Sequence, residues 1–234
     1  MKRMTLKTNL LGCLAIATLG GALTACSTPN QTTLQPQAAS PTATTAGNPS
    51  MDHGNMGGMS GMDHSMGMAL GPADAEFDLR FVDAMTPHHQ GAVEMAKEAK
   101  QKSKRPEIQK LADNIIKSQD KEIAQMKQWR QAWYPKASKE PIAYNAQMGH
   151  AMPMSQDQMK SMMMNMDLGA ADASFDLRFL NAMLPHHEGA VTMAEDALNK
   201  SKRSEMQKLA KEIITSQNVE ISQMEQWRKA WYNK

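Results

Sequence analysis

The stretch Met85-Thr-Pro-His-His-Gln-Gly-Ala-Val-Glu-Met95 returns further along the chain as Met183-Leu-Pro-His-His-Glu-Gly-Ala-Val-Thr-Met193. A return on this scale marks an internal duplication rather than a lone motif. Each copy carries two thioethers and two adjacent imidazoles. Sulfur and nitrogen donors without competing hard oxygens suit Cu(I) and Ag(I), and Zn(II) less well. The plainer alternative is a helix with core methionines and two hydrogen-bonded histidines.

Working outward, residues 74–134 align with 172–232 without a gap, and roughly two-thirds of the pairs are identical. In each copy an acidic start near Asp74 or Asp172 predicts a first helix running to about Ala99 or Leu198. Polar turns follow at 103–106 and 201–204, and second helices are expected over 107–133 and 205–231. Pro87 and Pro185 fall inside the first helices, which predicts a kink beside each His pair. On the second helix Ala112, Ile115, Gln119, Glu122, Met126, Trp129 and Trp133 form one stripe at three- and four-residue steps, repeated from Ala210 to Trp231. A lone hairpin buries too little surface to be stable, so the expected fold is all-α, a single four-helix bundle over 72–234. Its long crossover, 135–171, holds a methionine cluster with Met148, His150, Met152 and Met154. A short helix over 156–166 would let the later methionines simply pack.

The N-terminus reads differently. Lys2, Arg3 and Lys7 precede an apolar run that ends in Leu23-Thr-Ala-Cys26, the pattern of an export signal over 1–25 with a lipobox. Cys26 would then be lipidated and anchor the chain to a membrane outside the cytoplasm, in the periplasm or outer envelope. Residues 26–71 read as a disordered tether. Within it Met51, His53, Met56, Met59, Met62, His64 and Met66 stand among glycines, a further set of soft donors. The chain has 23 methionines in 234 residues, while its two cysteines, Cys13 and Cys26, both precede the mature domain. Any soft-metal site must therefore use thioether and imidazole. A formal net charge of +2 gives no case for nucleic-acid binding.

On a helical wheel Met85, His88, His89 and Met95 fall on one arc, and Met126 on the partner helix is the natural further ligand. Met183, His186, His187, Met193 and Met224 repeat the set. Glu122 and Glu220 lie on the same inward stripes, placed to accept a hydrogen bond from a ligating histidine and orient it. The segments Asp78–Ala96 and Gln119–Trp129, repeated as Asp176–Ala194 and Gln217–Trp227, resemble the domain of unknown function 305 family. That resemblance covers about 72–234 and implies a ferritin-like four-helix bundle. The methionine-rich, exported character is similar to that of periplasmic copper-resistance members. The expectation is a non-enzymatic protein that binds Cu(I), and Ag(I) after it, and sequesters it or passes it to or from a copper donor or acceptor protein. Two other readings stand beside it: a ferritin-like metal-dependent oxidase, which lacks the Glu-x-x-His pairs of di-iron bundles, and a partner-binding bundle with an adaptable methionine surface. No triad, phosphate-loop or dinucleotide pattern stands out.

Overall fold

A computed structural model describes residues 69–234. The export signal, Cys26 and the first Met/His segment, Met51, His53, Met56, Met59, Met62, His64 and Met66, lie outside the described residues. The elements are α1 (Phe77–Lys102), α2 (Pro106–Trp133), β1 (Ile142–Asn145), β2 (His150–Pro153), α3 (Gln156–Met163), α4 (Phe175–Lys200) and α5 (Ser204–Tyr232). The protein is a helical bundle made of two duplicated hairpins.

The two apolar clusters of the core define how the hairpins lie. One joins Phe77, Phe81 and Met85 of α1 to Met126 of α2, Met193 and Ala197 of α4, and Met206 and Ile213 of α5. The other joins Met95 and Ala99 of α1 to Ile108 and Leu111 of α2, Phe175 and Met183 of α4, and Met224 of α5. The start of α1 therefore meets the end of α4, and the end of α2 meets the start of α5. The hairpins run antiparallel about a pseudo-two-fold axis at mid-bundle. Alanines at turn-spaced positions, Ala92, Ala96 and Ala99 with Ala190, Ala194 and Ala197, are all buried and let α1 approach α4.

Reciprocal ties lock this arrangement. Arg203, in the turn before α5, pairs with Asp78 at 3.2 Å and lies 4.4 Å over the Trp133 ring. Arg105 does the same with Asp176 at 3.3 Å and Trp231 at 4.1 Å. Lys102 donates to the Gly169 carbonyl, and Lys200 donates to that of Gly71. Arg80 binds the Leu70 and Pro72 carbonyls as Arg178 binds those of Leu168 and Ala170. The folded unit thus reaches back to Leu70, which is buried in the first core cluster, two residues before the expected start.

α1 and α4 are each one helix that contains its proline, Pro87 or Pro185. One feature of the crossover departs from expectation. The crossover contains a β-hairpin, with Asn145 paired to His150 and Ala143 to Met152, before the anticipated short helix α3, which a Ser155–Gln158 capping box opens.

The hairpin is clamped by side chains of the first copy. Buried Asp83 takes a two-pronged contact from Arg130 and accepts from the Ile142 N–H at 3.0 Å, while Arg130 also donates to the Ser138 and Glu140 carbonyls. The second copy has Asn181 at this position, and its Arg228 Nε is unpartnered. The substitution Asp83→Asn should therefore release the hairpin, weakening its docking by about 1.5–3 kcal/mol, while the helix tolerates it as α4 tolerates Asn181. Hydrogen exchange checks this: the β1–β2 amides lose protection and those of α1 and α2 keep theirs.

Candidate metal centre

All four repeated histidines are buried, so each ring nitrogen must find a partner or stay unpaired. His88 and His186, facing each other across the pseudo-two-fold, stack with centroids 3.9 Å apart and planes inclined by 18°. His88 Nε2 faces the His186 carbonyl at 3.0 Å and its Nδ1 faces the Met162 carbonyl at 2.9 Å. His186 Nε2 donates to the Met163 carbonyl at 3.1 Å, and its Nδ1 has no partner. The end of α3 thus closes over the stacked pair. It sits flush on α1 at Gly91, where even a methyl group would overlap the Met163 carbonyl.

The second histidine of each pair turns toward its own hairpin partner. His89 Nε2 donates to Glu122 Oε2 at 2.7 Å, and His187 Nε2 to Glu220 Oε2 at 2.7 Å. This is the carboxylate contact expected for Glu122 and Glu220. It fixes the tautomer: with the proton on Nε2, each Nδ1 carries a lone pair, and both Nδ1 atoms are buried without a partner. Met85 lies one turn before His89 on α1, and Met126 one turn after Glu122 on α2. Both are fully buried in one cluster. His187, Glu220, Met183 and Met224 repeat the pattern in the other.

Grouping all five donors of one copy together is corrected here. Met95 belongs to the cluster of Met183 and Met224, and Met193 to that of Met85 and Met126. The antiparallel hairpins carry the end of each first helix to the opposite half. Three buried thioethers thus share the apolar cluster of each half, and the unpartnered Nδ1 atoms are those of His89, His187 and, on the axis, His186. His88, with both nitrogens facing carbonyls, presents no free one. On the crossover, Met148, His150 and Met152 are exposed and Met154 is partly buried against the first cluster. Met162 is buried there as well, which the sequence left open, and the Met162 and Met163 carbonyls that meet the histidines carried no signal in it. Among the described residues no three His, Cys, Asp or Glu side chains converge as a set able to hold an ion, so a centre here must include thioether.

Duplicated antiparallel hairpins, with a consecutive His pair on each first helix, define the class. The family model described as domain of unknown function (DUF305) matches residues 16–130 and 78–228, and the chain belongs to that family. Among solved structures the chain is similar to CopM. It is 43% identical to CopM in its Cu(II)-bound form, with a TM-score of 0.53, covering 66% of this chain and 97% of that one. For the Cu(I)-bound form the values are 41% and 0.51, with the same coverage. A DUF305 fragment from Deinococcus radiodurans is 28% identical with a TM-score of 0.51, covering 66% and 95%. The uncharacterised protein L153 of Acanthamoeba polyphaga mimivirus is 43% identical over 49 residues, which span 21% of this chain and 32% of that protein.

Burial, above all, pushes the His88 pKa down to about 4, and the neighbouring His89 and His187 add to the effect; the two carbonyls pull the other way without prevailing. Burial and the His88 ring likewise hold His186 well below the ordinary imidazole range. Both rings are therefore neutral when folded and basic when unfolded. The unfolded chain takes up protons below about pH 6.5 that the native state refuses, so stability falls as pH drops from about 6.5 toward 4. The His88 part of that loss is on the order of 3 kcal/mol. Urea unfolding midpoints of the metal-free protein should fall across this interval, and His88→Gln should flatten the slope.

Proposed function

We propose that this chain is an exported copper-binding protein, which holds Cu(I), or Ag(I) in its place, in two equivalent buried centres and limits copper toxicity by sequestering the ion or handing it on. The observation that carries the reading is the pair of buried, unpartnered Nδ1 atoms on His89 and His187, each fixed in the ligating tautomer by Glu122 or Glu220. Met85, Met126 and Met193 would complete one centre, and Met183, Met224 and Met95 the other. Neutral thioethers around one imidazole suit a soft monovalent ion and are poor ligands for Zn(II). The similarity to CopM, solved with Cu(I), Cu(II) and Ag bound, supports the same cargo. The role is binding rather than catalysis: the two inward glutamates are each engaged by a histidine. The signal and lipobox pattern of residues 1–26 supports a bundle held outside the cytoplasm and anchored through Cys26. The soft donors Met51–Met66 would collect the ion, as would Met148, His150, Met152 and Met154.

Replacing His89 by Gln, which leaves the His88–His186 stack in place, should lower Cu(I) capacity while leaving far-UV helicity intact. Glu122→Gln should weaken affinity by about 10–100-fold. Competition with a chromogenic Cu(I) chelator measures both. A wild-type protein that leaves the chelator loaded, or a bundle that melts on the His change, refutes the reading.

A further inference from the structure

We infer that β2 is a loading strand: a soft monovalent cation passes along His150, Met152 and Met154 into the Met85–Met126–Met193 half of the bundle, which therefore fills before the half around Met183, Met224 and Met95. The inference rests on the buried centres proposed above.

Residues two apart on a strand share a face and stand about 7 Å apart. His150 and Met152 are so placed on β2, and the Asn145 side chain, opposite His150 in the register, contacts the Met152 sulfur at 3.7 Å, on that face. Pairing continues one residue beyond the strand, where the Met154 N–H donates to the Pro141 carbonyl at 2.8 Å, and this keeps Met154 in step with the other two. Burial deepens along the row. Met148 at the turn is 58% exposed and Met152 36%, Met154 packs on the first core cluster, and Met85 and Met126 within it are 0% exposed. A row of imidazole and thioether donors thus runs from solvent to one centre. Movement along it is ligand exchange at constant oxidation state, which needs no co-reactant.

Among the described residues the second half lacks such a row. Asn181 replaces the aspartate that clamps the hairpin, and among the described residues no second β-hairpin is present. Its carboxylate, Glu220, instead lines a groove of ≈ 920 Å³ between α2 and α5, whose walls include Lys208 and Lys211 and carry neither methionine nor histidine. Its lysines are matched by Glu212 and Glu220, so the groove sets no charge barrier, but without thioether or imidazole it gives a soft cation no chain of ligands to exchange along.

The test uses the full mature chain with 13C-labelled methionine methyl groups, mixed with substoichiometric Ag(I) and followed over time by NMR. Met152 and Met154 should shift first, then Met85, Met126 and Met193, and last Met95, Met183 and Met224. The double variant Met152→Leu with Met154→Leu keeps the packing volume and should reach the same final occupancy with the order between halves lost. Asp83→Asn, which retains every donor but frees the hairpin, should lose the order as well. Simultaneous filling of both halves in the wild type, or an order that survives in the Leu variant, overturns the loading strand and leaves the centres standing. If excess Ag(I) moves the core methionines of neither half, the centres fall, and the strand with them.

Discussion

The stack of His88 on His186 is the contact about which the two hairpins are arranged. Two imidazoles 3.9 Å apart in a dry core can coexist only as neutral rings, because like charges at that separation without solvent are strongly repulsive. Their neutrality follows from burial, and their position on the pseudo-two-fold sets the register of α1 against α4. Once His88 faces across the axis, the next residue points about 100° away around the helix. That turns His89 toward α2 and Glu122, and His187 toward α5 and Glu220. A consecutive His pair is thus a device with two outputs, one ring for the interface between copies and one for the carboxylate of its own hairpin.

Duplication makes most of the remaining contacts come in pairs. The Arg105 and Arg203 clamps, the Lys102 and Lys200 ties and the Arg80 and Arg178 anchors each cross or close the bundle twice. Individually such surface-proximal ion pairs contribute little. Their effect lies in specificity, since an alternative packing of two near-identical hairpins would break all of them together. The exception is Asp83, which has lost its counterpart to Asn181. A single carboxylate decides which copy carries the crossover hairpin, and so which half of an otherwise symmetric bundle lies beside the exposed soft donors.

The periodicity and the repeat made the helices, the hairpins and the His–Glu contacts legible before any coordinates, because those are local or within one copy: His89 and Glu122 sit on adjacent strokes of one hairpin. What stayed illegible depended on the relation between copies. Met95 and Met193 change places because the hairpins run antiparallel, and a 37-residue crossover leaves that direction open. The β-hairpin is built from Ile142–Asn145 and His150–Pro153, segments too short and too mixed in polarity to announce strands. One readable signal was passed over: Leu70-Gly71 and Leu168-Gly169 extend the repeat upstream, and their carbonyls are where Arg80, Arg178 and both lysine ties end.

The electrostatics of the two halves bear on which ion they would suit. Three thioethers and one imidazole bring no charge, so a cation held among them would need its countercharge from elsewhere in a region where bare charge is costly. Glu122 and Glu220 are the acids in direct contact with the histidines, each only 14–15% exposed, and each acts through its histidine. One carboxylate balances one monovalent ion. A divalent ion in the same place would leave a net positive charge within the bundle, and the neighbouring His88 and His186 rings would add to it on any protonation. In the proposed centres a monovalent preference would therefore arise twice, from the softness of sulfur and from the count of buried charges. In the metal-free protein the free Nδ1 atoms are a standing cost of about 1–3 kcal/mol each, which ligation would remove, so a bound ion should stabilise the bundle beyond the simple mass-action effect of its concentration.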